Sequence, residues 1–532
     1  MDASDDLRSI ADRFRYEVGE LVATSRALSG ERDIRKLLAL ILEKCRQVTG
    51  ADAGSVYVLE GEGAPADKRL HFMLSQNDSL KIDFKEFTLG VDGKSIVGKA
   101  VLDARPINIP DLGRLSEPGG NPWGFQHNRS FDEKTGYRAQ SMLTVPMLSA
   151  ETEVIGVIQL INRKRQTGRR LLDPADFARE VIPFDDWSEE LALALASQAG
   201  ISLENAFLYV EIKNLFEGFV DASVTAIESR DPTTSGHSRR VATLSVALAE
   251  KVDAMADGPL RLVRFSPSAL KQIEYAGMLH DFGKVGVREK VLIKAKKLYE
   301  EDRKSIKLRL EYIRKLIELE LAERKLRLAM ELPRAELGER FTVLDAELAG
   351  RAAELDEHWA AINRANEPTV MEEGGLERLI QIAQLQYMSP SGDLRPYLEP
   401  EEVSALQIRR GSLTEAERIE IQSHVVHTFN FLNKIPWGRE LAAIPNIAGR
   451  HHEYLTGDGY PRRLAAADIP IETRMMTIAD IFDALTASDR PYKKAVPVDQ
   501  ALRILEGEVA VGHCDRDLMQ VFVEAEVYKK VL

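Results

Sequence analysis

The chain has 532 residues, 44% of them hydrophobic, which is enough for two or three domains each with its own core. A net charge of -13 argues against broad binding to nucleic acid or anionic membranes, so a phosphate-bearing substrate must be met by local cations or metals. Two cysteines, Cys45 and Cys514, exclude a disulfide framework and suit a reducing cytoplasm.

No run reaches the roughly 18 consecutive apolar residues that a spanning helix needs. The acidic start Met1-Asp2-Ala3-Ser4-Asp5 is unlike a signal peptide. Residues 1–31 read as an amphipathic helix with Leu7, Ile10, Phe14, Val18 and Leu21 on one face, suited to packing or a dimer contact. A second helix, Ile34 to Val48, precedes β-rich segments at Gly54 to Glu60, Leu70 to Leu74, Met142 to Met147 and Val154 to Asn162. Helices flanking several short antiparallel strands imply an α+β sensory domain over residues 32–185.

Five pieces of that region, in order, carry a family likeness: Gly93-Lys94-Ser95-Ile96-Val97-Gly98, Ile107-Asn108-Ile109-Pro110-Asp111, Asp132-Glu133-Lys134-Thr135-Gly136-Tyr137, Ser141-Met142-Leu143-Thr144-Val145-Pro146 and Ile155 to Asn162. Together they resemble a GAF domain. The resemblance extends to members that bind cyclic nucleotides, which implies a small sensor ligand near Asn128, Arg129, Phe131, Asp132 and Glu133.

Residues 186–230 read as one long linker helix. Leu208, Ile212, Leu215 and Phe219 follow steps of four and three, the spacing of a coiled-coil seam, and suggest a parallel homodimer helix between sensor and output. The output region, 231–532, opens on the turn Asp231-Pro232-Thr233-Thr234-Ser235-Gly236, then His237, then a helix over Val241 to Val252. The polar island His280-Asp281-Phe282-Gly283-Lys284 follows the apolar stretch Ile273 to Leu279.

Residues 295–410 are dense in Lys, Arg, Glu and Leu. Ile306, Leu310, Ile313, Ile317 and Leu321 mark one apolar face, and Phe341, Leu344, Leu348, Ala352, Leu355, Trp359 and Ile362 another, with Pro333 and Gly338 between. That pattern predicts an antiparallel helical hairpin inserted in the output domain, a contact surface with no chemistry of its own and a single histidine, His358. Past it, Thr414 and Glu417 form a capping signal ahead of a helix bearing His424 and His427. Next come Arg450-His451-His452-Glu453, the turn-rich Thr456 to Pro461, and a helix over Met475 to Ala487 with Asp480 and Asp483.

His237, His280, Asp281, His424, His451, His452 and Asp480 are too many polar donors on apolar helices to be left buried without partners. Mixed imidazole and carboxylate donors without cysteine suit two divalent ions, iron or manganese, rather than a structural zinc. Two ions about 3.5–4 Å apart are a standard means of attacking a phosphodiester.

The ordered set His237, His280-Asp281 and Asp480 also resembles the HD-domain phosphohydrolases. His451-His452-Glu453 with Gly459-Tyr460-Pro461 and Asp489-Arg490-Pro491-Tyr492-Lys493 resembles the HD-GYP subgroup in particular. This resemblance implies an all-α fold and hydrolysis of cyclic di-GMP to the linear dinucleotide or GMP. It implies metal ligation by the seven donors, catalytic roles for Asp281 and Lys284, and substrate contacts from Tyr460, Arg490 and Lys493. Thr233 stands where some members carry a third-metal glutamate, so two ions are expected, and Thr428 replaces a common glycine. The alternatives are a phosphodiesterase for another cyclic dinucleotide, or a weakly active binding scaffold that recruits partners such as a diguanylate cyclase.

Overall fold

A computed structural model of the chain describes residues 19, 22–23, 26–28, 30–80, 86–117, 120–122, 124–125, 136–230, 235–369, 374–487 and 495–532. They divide into two units between Glu217 and Gly218.

In the first unit, helix α1 (Ile34–Thr49) starts at Asp33, whose carboxylate accepts from the Lys36 amide, and stops at Gly50 in the left-handed region. Such a C-terminal glycine carries no Cβ penalty there. Leu37, Leu38, Ile41, Leu42 and Cys45 form its buried face. The helix lies on a seven-stranded antiparallel sheet, with β1 (Ala51–Glu60), β2 (Arg69–Asn77), β3 (Phe87–Gly90), β4 (Ile107–Ile109), β5 (Met142–Leu148) and β6 (Val154–Lys164) in the order β3-β2-β1-β6-β5-β4. The last strand, β7 (Val181–Ile182), pairs with β6. Helices α2 (Ile96–Asp103) and α3 (Pro174–Glu180) complete the α+β layer.

The four β-rich segments read from sequence are all strands. Three more, β3, β4 and β7, have four, three and two residues and are too short to show an alternation. Gly54 in β1 is a packing requirement, because a Cβ there would stand 2.8 Å from the Gln159 carbonyl and from Leu42. The proposed N-terminal helix face, Leu7 to Leu21, lies outside the described residues, as do the proposed sensor residues Asn128, Arg129, Phe131, Asp132 and Glu133.

Helix α4 (Asp186–Arg230) is a single helix of 45 residues. It is long and apolar enough to cross a membrane by length and composition, yet half of that apolar window is buried. Ala192, Leu195, Ala196, Ala199, Leu203 and Ala206 pack into the same core as α1, so this face is a core face.

In the second unit, α5 (His237–Asp253) packs on α6 (Pro267–Leu279), and Gly277 makes that approach possible because a Cβ would lie 2.8 Å from Ala242 Cα. After the short α7 (Glu289–Leu292), the inserted hairpin is formed by α8 (Glu300–Glu331) and α9 (Arg334–Ala365). Ile306, Leu310, Ile313, Ile317 and Leu321 are buried with Leu344, Leu355 and Ile362, as the apolar spacing predicted.

The output domain is largely helical, as expected, and its insertion adds one short strand pair. After α10 (Gly375–Gln384) the insertion contains a two-stranded hairpin, β8 (Gln386–Met388) with β9 (Leu394–Pro396), and then α11 (Pro400–Leu406). Strands of three residues offer too few alternating positions to be read against dense helical periodicity.

His358 is a buried packing residue whose Nδ1 has no hydrogen-bond partner. Burial lowers its pKa from the ordinary 6.5, against the opposing charge of Glu354, 3.8 Å from Nε2. The unfolded chain therefore binds a proton that the folded chain resists, so the contribution to stability is full above pH 6.5 and is lost as pH falls below it. His358→Leu should flatten the decline of Tm between about pH 7 and 5; an unchanged slope would exclude His358 as its source.

Candidate metal centre

The donors arrive from five places in the second unit. His237 is the first residue of α5, and His280 and Asp281 follow the last turn of α6. Beyond the insertion, α12 (Glu415–Gln422) opens on the predicted Thr414–Glu417 capping box, and α13 (His424–Leu432) starts with His424 itself. His451 and His452 lie in the turn after α14 (Ile444–Ala448), and Asp480 is on α15 (Ile471–Thr486). The remaining helices, α16 (Val498–Ala510) and α17 (Arg516–Glu524), close the fold around α5 and α15.

All seven donors converge. His237 Nε2 is 3.2 Å from Asp480 Oδ1 and 3.7 Å from Asp281 Oδ2. Asp281 Oδ2 is also 3.4 Å from His280 Nε2, while its Oδ1 is 3.3 Å from His424 Nε2. Three overlapping sets have ligand atoms within 4.8 Å of one another: His237, His280 and Asp281; His280, His451 and Asp480; and His424, His451 and His452. His237, His280, Asp281, His424 and His451 are buried, whereas His452 and Asp480 keep some exposure, so the centre reaches solvent at these two.

Hydrogen bonds fix the rings. His280, His424 and His451 each donate Nδ1–H to the carbonyl three residues earlier, Gly277, Ile421 and Ala448, at 2.7, 2.6 and 2.7 Å. Each Nε2 is thereby left as a lone pair aimed inward, the form in which imidazole binds a metal. Two of these lone pairs, on His424 and His451, face each other at 3.4 Å, and His280 Nε2 is buried with no hydrogen-bond partner. Acceptors opposed in this way become favourable only with a cation or proton between them. The donor set therefore fits divalent cations.

The local field agrees. Desolvation, then the charge of His452, pushes His451 well below 6.5, and desolvation lowers His452 to about 4, so both are neutral donors. Burial would raise Asp281, but Lys284, then His280 and His424, outweigh it and hold the carboxylate ionised. Burial would likewise raise Asp480, and the hydrogen bond from His237 overcomes it.

Three supporting residues escaped the sequence reading. Asp483, one turn past Asp480, accepts from His237 Nδ1 at 2.7 Å and is gripped by Arg240 through Nε at 2.5 Å and Nη2 at 3.1 Å. Glu453 is buried and accepts from the amides of Arg462 and Leu464 at 2.7 and 2.9 Å, fixing the Gly459-Tyr460-Pro461 turn. Thr428, read only as a replaced glycine, donates to the His280 carbonyl and accepts from the Gly283 amide, both at 2.8 Å. The signal for Asp483 was present, a second acid on an otherwise apolar helix face. Asp483→Asn should weaken metal binding about 10- to 100-fold, the usual consequence of losing such an orienting partner, and metal titration of the purified variant would measure it.

Lys284 Nζ sits 2.9 Å from Asp281 Oδ2, at the rim of the centre. The Tyr460 ring lies 4.8 Å from that of His452, and burial raises its pKa, so its hydroxyl stays protonated. His427 is no part of the centre and lies instead against Gly286. Arg490 and Lys493 fall outside the described residues.

The profile of the GAF domain matches residues 33–203, and profiles of the HD domain match residues 234–363 and 397–518, on either side of part of the insertion. The chain joins a GAF domain to an HD domain. It is 45% identical over 103 residues to 3'3'-cGAMP-specific phosphodiesterase 3 of Vibrio cholerae, covering 19% of this chain and 22% of that protein. It is 36% identical over 113 residues to 3'3'-cGAMP-specific phosphodiesterase 1 of the same species, covering 21% and 25%. A cyclic di-GMP phosphodiesterase of Thermotoga maritima is 30% identical over 142 residues, covering 26% and 36%. The chain thus spans between a fifth and two fifths of the length of these curated relatives.

Proposed function

We propose that this chain is a cytoplasmic, metal-dependent phosphodiesterase that opens cyclic di-GMP to the linear dinucleotide pGpG and on to GMP, under control of a small ligand at its GAF domain. The observation that carries the reading is the convergence of seven donors, among them Asp281, whose two oxygens face different histidines and would both be open to divalent ions. His237, His280, His424, His451, His452 and Asp480 would hold the two ions, iron or manganese by their mixed nitrogen and oxygen set. When bound, the ions supply Lewis acidity toward phosphoryl oxygens and make water acidic enough to react at neutral pH.

The chain's own residues do the rest. The Lys284 ammonium, anchored on Asp281, lies where it can offset charge on a phosphate oxygen or give a proton to the leaving oxygen. Tyr460 offers a ring face and a protonated hydroxyl to the substrate beside His452. Arg490 and Lys493 are proposed as further phosphate contacts, suited by the planar fork of the guanidinium and the point charge of the ammonium.

A second substrate, 3'3'-cGAMP, is favoured by the two Vibrio cholerae relatives named for it. Protein purified without oxygen, with its metals counted, is to be incubated with each dinucleotide and the products separated. Linear product from one or both is expected, with Lys284→Ala keeping its metal and losing most turnover. Two bound ions with neither ring opened would overturn the proposal and leave a binding scaffold.

A further inference from the structure

The turn that follows His451 and His452 is closed at its base and leans on a neighbour at its tip. At the base, the Tyr460 amide donates to the His452 carbonyl at 3.0 Å and the Gly457 amide to the Tyr454 carbonyl at 2.9 Å. Gly459 allows that closure, because a Cβ there would stand 2.3 Å from the Tyr454 amide nitrogen. At the tip, the Thr456 hydroxyl donates to Asp458 Oδ1. Gly457 and Gly459 give this stretch more backbone freedom to lose than other residues would, so an ordered tip needs support from outside.

The support comes from the turn between α16 and α17. The His513 ring stacks on that of Tyr454, with centroids 4.1 Å apart and planes at 12°. The His513 carbonyl accepts from the Leu455 amide at 3.4 Å, and its Nε2 stands 3.9 Å from Asp458 Oδ2. Three residues of the first turn therefore meet one histidine. That histidine is itself anchored on α16: Nδ1–H donates to Glu508 Oε2 at 2.6 Å, and the His513 amide to the Glu508 carbonyl at 2.9 Å.

We infer that His513 is a positioning residue, which by holding the tip of this turn keeps the Tyr460 ring in place beside His452 for the substrate. The inference rests on the reading of Tyr460 as a substrate contact. The metal donors of the same stretch are fixed by other bonds, from His451 Nδ1 to the Ala448 carbonyl and from the Thr477 hydroxyl to the His451 carbonyl at 2.8 Å. Loosening the tip therefore lowers the share of molecules ready to bind and leaves the chemistry of bound ones alone. Apparent affinity falls by that share, so KM rises while kcat stays. A stacked aromatic pair is worth about two- to tenfold in such an equilibrium, and the bond to the ionised Glu508 adds to it.

Hydrogen exchange over residues 453–464 of the full chain, beside steady-state kinetics on whichever cyclic dinucleotide the wild type opens, tests this. His513→Ala should speed exchange in that stretch and raise KM, each about tenfold, with kcat and metal content within about twofold of wild type. His513→Phe, which keeps a ring against Tyr454, should recover at least half of both effects. Unchanged exchange, a fall in kcat at unchanged KM, or a Phe variant as loose as the Ala variant would each overturn the inference. A wild type that opens neither dinucleotide would overturn the hydrolase reading alone, and the exchange rates would still decide the role of His513.

Discussion

Asp281→Asn is expected to reduce metal occupancy below one ion per chain and to cut cyclic-dinucleotide hydrolysis by at least about a thousandfold, on the order of 4 kcal/mol of lost transition-state stabilisation. Asp281 stands within 3.7 Å of His237, His280 and His424 and holds Lys284 at 2.9 Å, so one substitution removes a shared oxygen and the anchor of the nearby cation together. An amide keeps the shape, which separates the charge from packing. Metal analysis beside single-turnover kinetics would decide, and a variant with two ions and ordinary turnover would remove Asp281 from the centre.

The second large effect lies in the backbone. A Cβ on Gly283 would come 1.8 Å from the His424 carbonyl oxygen and 2.5 Å from the Thr428 amide nitrogen, both of them main-chain atoms that cannot swing aside. Gly283→Ala must therefore push the His280-Asp281 turn away from α13, opening the Thr428 bridge and moving His424 off the centre. Overpacking of this kind costs about 1–3 kcal/mol, and the disrupted buried hydrogen bonds add to it, so a loss of about 3 kcal/mol or more is expected. Denaturant unfolding would read the stability, and metal titration the displaced histidine. A variant as stable as the wild type would mean that the turn is more yielding than its contacts indicate.

The seven donors were legible because each is a polar residue interrupting or ending an apolar helix pattern, a placement that is unfavourable unless something binds there. Their convergence was not legible in spacing alone, since His237 and Asp480 are brought to 3.2 Å by packing of α5 on α15. Asp483 was passed over for the same reason: only the packed helices show which ring its carboxylate meets. Thr428 illustrates the opposite error. From the sequence it was only a replaced glycine, yet its hydroxyl joins two backbone groups of the His280-Asp281 turn. Helical periodicity gave the insertion its two long arms, and the same periodicity hid the three-residue strands beyond them.

The three imidazoles tied to carbonyls one turn behind them have a further consequence. Side chains held this way have little rotational freedom to lose, so stripping the centre with a chelator should leave an intact mould. Reloading it would then be governed by how quickly ions reach it, with no slow refolding phase.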